Sequence, residues 1–209
     1  RGTGILETIP GAAGGARFIP YILKEGRRTI NNIERSASLL LVKTIYTILL
    51  ILFSVIISSK YFFIPIQLTL ITTFTIGTPS FILALEPNTD LVKGKFLLKV
   101  ISRALPTSLT VLFNVILVTC FTMAFNLSYE MQSSLSVYLT AITGLIYLYK
   151  ICKPFTIIRG TLFTVMLVGF LFCITREYAF FNLIKLNPTS ILIIFVLALD
   201  SLYVYKRLN

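Results

Sequence analysis

Long apolar stretches separated by short polar clusters organise this sequence. Six approach the ~20 residues that a membrane-spanning helix needs: 39–58, 62–85, 107–127, 134–151, 157–175 and 189–205. They predict an all-α fold, a polytopic membrane helix bundle of six transmembrane helices with the lipid bilayer as its first partner. Residues 25–38, "EGRRTINNIERSAS", extend the first span on its N-terminal side with helical spacing and no proline. That predicts a cytoplasmic stalk helix of about four turns. Residues 1–16 show no clear period, and with Gly11, Gly14 and Gly15 they predict an irregular lead-in over residues 1–24. No charged start followed by an apolar core marks a secretory leader in residues 1–20. Between the second and third spans, "LVKGKFLLKVISRALP" repeats Lys95, Lys99 and Arg103 every four residues. Phe96, Leu97, Val100, Ile101 and Ala104 fill its other side. This predicts a separate amphipathic helix along the inner membrane surface, its charges toward headgroups or a partner domain.

Composition sharpens the picture. Of 209 residues, 56% are hydrophobic and 13% charged, with mean hydropathy +0.89. A soluble domain of this size has too little interior for that apolar surface. The net charge of +11 raises nucleic acid as a partner, but membrane orientation accounts for the basic residues. With a cytoplasmic N-terminus, Lys24, Arg27, Arg28, Arg35, Lys43, Lys93, Lys95, Lys99, Arg103, Lys150, Lys153, Arg159, Lys206 and Arg207 fall inside. Lys60, Arg176 and Lys185 fall outside, a ratio of 14 to 3 with Arg1 and Arg17 left aside. Both termini are therefore expected in the cytoplasm of a multi-pass cell-membrane protein, with no nucleic-acid partner. Histidine is absent, and Cys120, Cys152 and Cys173 lie far apart without a CxxC pair. This is poor ground for a soft-metal site.

The second span is unusual. It holds Pro65, Gly77 and Pro79 together with Thr69, Thr72, Thr73, Thr75, Thr78 and Ser80. Proline removes a backbone donor, and lipid offers no replacement. Broken helices at membrane depth therefore line polar cavities or sit inside protein, and hydroxyls with freed carbonyls are hard ligands for alkali or alkaline-earth cations. Small and hydroxylated residues also serve close helix packing. The pattern alone leaves both readings open.

"EGRRTINNI" at 25–33, followed after one span by "PIQL" at 65–68 and "GTP" at 77–79, resembles the P-type cation-transporting ATPases. In that family an E-G-R stalk with an N-N pair leads into the fifth membrane helix, and the sixth opens with P-x-Q-L and contains T-x-G-x-P. Here the matching residues are Pro65, Gln67, Leu68, Thr75, Gly77 and Pro79, then Glu86, Pro87 and Asn88. "RFIPYILK" at 17–24 resembles the segment before the stalk, whereas the Gly-rich residues 1–16 match nothing expected there. The resemblance is specific over residues 25–88 and rests on helix number beyond them.

The resemblance implies the C-terminal membrane portion of a pump that needs ATP and Mg in its full-length form. The D-K-T-G-T, T-G-E and G-D-G-x-N-D motifs of that chemistry are absent from this sequence. The expected partners are then the transported cation and N-terminal ATPase domains outside this chain, and hydrolysis by the chain alone is not expected. The implied cation path takes Thr44, Thr47, Thr72, Thr75 and the backbone at Gly77, with Gly77 and Pro79 breaking the helix so that carbonyls turn inward. Ile76 stands where calcium and sodium/potassium pumps carry an aspartate, and Thr47 where calcium pumps often carry a glutamate. Both departures put a double calcium site in doubt. Lys43, one turn into the first span, either snorkels to the headgroups or acts as a built-in cation pointing into the bundle.

Weaker candidates are Asn114, Asn126, Thr140 and Thr143, which line a path or pack between helices. Asp200 is expected to pair with Lys206 or cap a neighbour, Arg159 to mark the interfacial end of its span, and Glu86 to meet the cytoplasmic loop or water. Two other functional classes remain: a non-catalytic membrane scaffold or accessory subunit, and a small gradient-driven secondary transporter. No inverted repeat, the usual mark of the latter, is visible.

Overall fold

The computed structural model describes residues 12–86, 96–185 and 187–208, and every regular element among them is helical. In chain order these are α1 (Ala12–Ile56), α2 (Pro65–Thr72), a π-helical turn (Thr73–Gly77), α3 (Thr78–Leu85), α4 (Phe96–Phe125), α5 (Tyr129–Cys152), α6 (Ile157–Arg176) and α7 (Pro188–Leu208). Five stretches among the described residues are long and apolar enough to cross a membrane: Ile22–Ile56, Pro65–Leu85, Phe96–Phe125, Tyr129–Cys152 and Ile157–Arg176. The 21-residue α7 carries Asp200, Lys206 and Arg207 and is not among these five.

Helical spacing explains the packing. Leu39, Val42, Tyr46 and Leu50 form the buried stripe of α1, while Ile48, Ile51 and Val55 stay on its outer side. Helix α6 buries Arg159, Leu162, Met166, Phe170 and Ile174 at the same spacing. Helix α5 is the centre: it touches α2, the π turn, α4, α6 and α7. It is buried nearly all round from Gln132 to Ala141. Its Ser133, Ser134, Ser136 and Thr140 let neighbours approach closely, as small residues do in membrane bundles.

Several expectations change. Residues 12–24 belong to α1 rather than to an irregular lead-in, and the rest of that lead-in lies outside the described residues. Extending an existing helix avoids the nucleation penalty that glycine-rich segments cannot meet alone. The amphipathic segment after the second span is no separate surface helix. From Phe96 it runs unbroken into the third span as α4, with Pro106 inside the helix; Lys95 lies outside the described residues. The reason is long-range: Arg103 Nη1 and Lys99 Nζ lie 2.7 and 3.5 Å from the Glu34 carboxylate on α1, which holds α4 upright against α1. Helix α5 begins at Tyr129, earlier than the apolar run, because the Ser128 hydroxyl accepts from Met131 N–H and caps it.

Residues of the resemblance motif stitch the bundle together. Asn32 Nδ2 donates to the carbonyls of Ala84 and Glu86 at the end of α3. Gln67, fully buried, donates to Asn182 O at 3.0 Å and accepts from Ser133 Oγ at 2.7 Å and from Ile64 N–H at 3.1 Å. A buried amide so fully bonded fixes the start of α2 against α5.

Candidate functional site

The second apolar stretch does not unwind. Gly77 and Thr78 keep right-handed helical torsions, and Thr78 N–H bonds Thr73 O five residues back. The predicted break at Gly77 and Pro79 is therefore a single wide π turn inside a helix that continues to Leu85. Pro79 has no N–H, so the preceding turn loses one donor. The helix widens by one residue rather than opening, because α5 and α6 clamp it. A Cβ on Gly144 of α5 would sit 2.8 Å from Thr75 Cβ, and one on Gly169 of α6 would sit 2.6 Å from the Phe74 ring. These glycines let two helices close on the π turn.

Beside that turn lies a small void of about 10 Å³. Its polar lining comes from Tyr46 on α1, Thr75 on the π turn, Thr107 on α4, and Thr140 and Tyr147 on α5. Thr75 donates to Ile71 O at 2.7 Å. The hydroxyls of Tyr46, Thr107, Thr140 and Tyr147 are buried and make no hydrogen bond. Tyr147 leans toward Ser38, whose hydroxyl is itself committed to Glu34 O. A buried hydroxyl without a partner costs about 1–3 kcal/mol. These four hydroxyl-bearing residues surround one space about the size of a single water, whose surface is mostly apolar, and make it a candidate cage for a bound water or cation.

The sequence candidates divide around this cage. Thr75 lines it, and Thr72 keeps a buried hydroxyl without a hydrogen bond on the preceding turn. Gly77 is half-buried at the end of the π turn. Thr44 is exposed on α1, its hydroxyl turned to Leu40 O at 3.3 Å. Thr47 is half-buried beside Tyr61, whose phenol is pushed up by burial, with a smaller opposing effect from Thr47. Lys43 is half-buried. Neither Thr44, Thr47 nor Lys43 lines the void. Among the weaker candidates, Thr140 lines it. Asn114 instead bridges helices, donating to Thr143 Oγ1 at 3.0 Å and accepting from Ser201 Oγ at 2.6 Å. Asn126 is exposed at a left-handed turn after α4. Tyr46, Thr107 and Tyr147 were not foreseen; Tyr46 hides in the apolar stripe of α1, where an aromatic reads as core.

A second polar centre caps the same helices. Glu86 is buried and does not face a loop or water. Arg159 Nε, Thr156 Oγ1 and Arg35 Nη1 all donate to its carboxylate. Arg159 is buried in turn and donates to Pro154 O at 2.8 Å, so it is an internal ion-pair partner rather than an interfacial marker. Asp200 is exposed and forms no ion pair with Lys206.

No family model matches the chain. It is 38% identical over 161 residues to "Probable cation-transporting ATPase exp7" of Streptococcus pneumoniae serotype 4, a match covering 73% of this chain and 21% of that protein. It is 44% identical over 103 residues to "Calcium-transporting ATPase CtpE" of Mycolicibacterium smegmatis. The protein of the same name from Mycobacterium tuberculosis is 39% identical over 103 residues. Each of these two matches covers 44% of this chain and 13% of the relative. The chain thus spans about a fifth or less of the length of these curated relatives.

Proposed function

Because this chain is homologous to the P-type cation-transporting ATPases, we propose that it forms the C-terminal membrane portion of such a pump and lines the path of the transported cation. The observation that carries this reading is the cage of unpartnered hydroxyls against the π turn. Tyr46, Thr75, Thr107, Thr140 and Tyr147 supply oxygens, and Thr72 with the backbone at Gly77 supplies the adjoining step. Thr44, Thr47 and Lys43 flank the path from α1. Helix α7 is the sixth span, and the 14-to-3 distribution of basic residues supports cytoplasmic termini in the cell membrane.

Calcium is the first cation to test, since two relatives are named for it. Calcium takes six to eight oxygen ligands. The cage offers neutral oxygens, and a neutral cage leaves a divalent charge uncompensated in low dielectric. The balancing carboxylate therefore belongs to the pump outside this chain. The phosphorylation motif is absent, and the described residues bring together no group of three or more His, Cys, Asp or Glu that could hold a metal ion. ATP-driven motion enters from domains beyond this chain, and α1, through residues 25–38, carries it to the cage.

The test is cation uptake into membrane vesicles bearing the whole gene product, measured with ATP present or absent for calcium, magnesium, sodium and potassium. ATP-dependent uptake of one cation supports the proposal. ATP-independent uptake driven by a gradient would assign the chain to secondary transport instead.

A further inference from the structure

Two spaces stand one above the other along the seam of α1, α4 and α5. The inner one is the void of about 10 Å³ beside the π turn, with Leu39, Thr107 and Tyr147 among its walls. The other is a cavity of about 210 Å³ at the end of the bundle, with Arg35, Arg103 and Ile151 among its walls. On each helix the two sets are one turn apart: Arg35 and Leu39, Arg103 and Thr107, Ile151 and Tyr147. Arg103 and Lys150 are exposed where they line the cavity, so it opens outward. Its volume holds several waters, and that of the void about one.

Among the described residues, Tyr147 is common to both linings. Its side chain is buried, and its hydroxyl makes no hydrogen bond within the protein. Such a hydroxyl is costly unless a water meets it, and the cavity it borders is the space that supplies one.

We propose that Tyr147 is the partition of a water route into the void. Water in the cavity bonds the Tyr147 hydroxyl and passes inward when that side chain swings aside. This rests on the void being the cation cage, and it deepens that reading. A cation entering so small a space displaces its water, which needs an exit other than the path the cation fills. The seam past Tyr147 is that exit.

The experiment measures reaction of introduced cysteines with methyl methanethiosulfonate in the whole gene product held in lipid nanodiscs, read residue by residue by peptide mass spectrometry. Ile151→Cys, in the cavity wall, should react readily. Thr140→Cys, in the void wall, should react slowly with Tyr147 or Tyr147→Phe in place. It should react about tenfold or more faster once Tyr147→Ala removes the ring. Leu135→Cys, in the separate core of α4, α5 and α7, should stay slow throughout. Unchanged reaction of Thr140→Cys in the Tyr147→Ala protein would overturn the proposal, as would fast reaction with Tyr147 in place. Where fast reaction of Leu135→Cys shows that Tyr147→Ala loosens the whole bundle, the unmodified protein decides. Hydroxyl radicals made from water by X-rays should oxidise Tyr147 and spare Phe62, which is as deeply buried. A Tyr147 left unoxidised would equally overturn the proposal. Both measurements are made without cation or nucleotide, so their failure and a failure of the transport reading are distinguishable.

Discussion

Arg159 Nε lies 2.8 Å from Oε1 and 2.6 Å from Oε2 of Glu86, joining residues 73 positions apart with both side chains buried. The pair ties the start of α6 to the end of α3, and Arg35 adds α1 from the same side. Two arginines facing one carboxylate give the acid a role that neither span's own sequence announces.

Removing the acid should therefore be costly. Glu86→Gln leaves Arg159 buried without its counter-charge, and loss of about 3–5 kcal/mol is expected. The measurement is thermal unfolding in detergent. In a double-mutant cycle with Arg159→Gln, the second substitution should cost much less in the Glu86→Gln background than alone.

A weaker version of the same logic holds between α1 and α4. Glu34 is buried while Arg103 remains about half exposed, so solvent screens the pair from one side. Glu34→Gln should destabilise by about 1–3 kcal/mol, mainly through the buried acceptor. Arg103→Gln should cost under about 1 kcal/mol. Chemical denaturation of the purified protein compares the two.

Two glycine substitutions should differ in sign. Gly144→Ala drives a methyl to 2.8 Å from Thr75 Cβ, close to backbone, and should destabilise by about 1–3 kcal/mol. Gly26→Ala on α1 meets nothing within 4 Å and should stabilise by up to about 1 kcal/mol through helix propensity. Thermal midpoints measured side by side check the contrast.

The cage hydroxyls should separate stability from transport. Tyr46→Phe and Thr140→Val each remove a buried oxygen that has no hydrogen bond. Each should leave stability unchanged or raise it by about 1 kcal/mol, as read from unfolding midpoints.

What could be read from the chain followed the range of the interactions. The apolar runs and the 3–4 spacing of Leu39, Val42, Tyr46 and Leu50 are local, and they mark α1 and its buried stripe directly. Gly77 and Pro79 signal a disturbed helix, but sequence does not distinguish an open break from a π turn. The difference lies in Gly144 and Gly169, two other helices away. Lys99 and Arg103 look like an interfacial face because their acid, Glu34, sits 65 and 69 positions upstream. Tyr46 and Tyr147 look like core aromatics, and only their convergence with Thr107 and Thr140 puts them around one void.

Cation dependence of uptake in vesicles carrying the whole gene product, compared among three variants, tests the cation path most directly. Tyr46→Phe/Thr140→Val should raise the half-saturating concentration about tenfold or more, the loss expected when oxygens to a charged group are removed. Thr44→Val, on the exposed side of α1, should have little effect. A normal half-saturating concentration in the Tyr46→Phe/Thr140→Val protein would contradict a cation path through this cage.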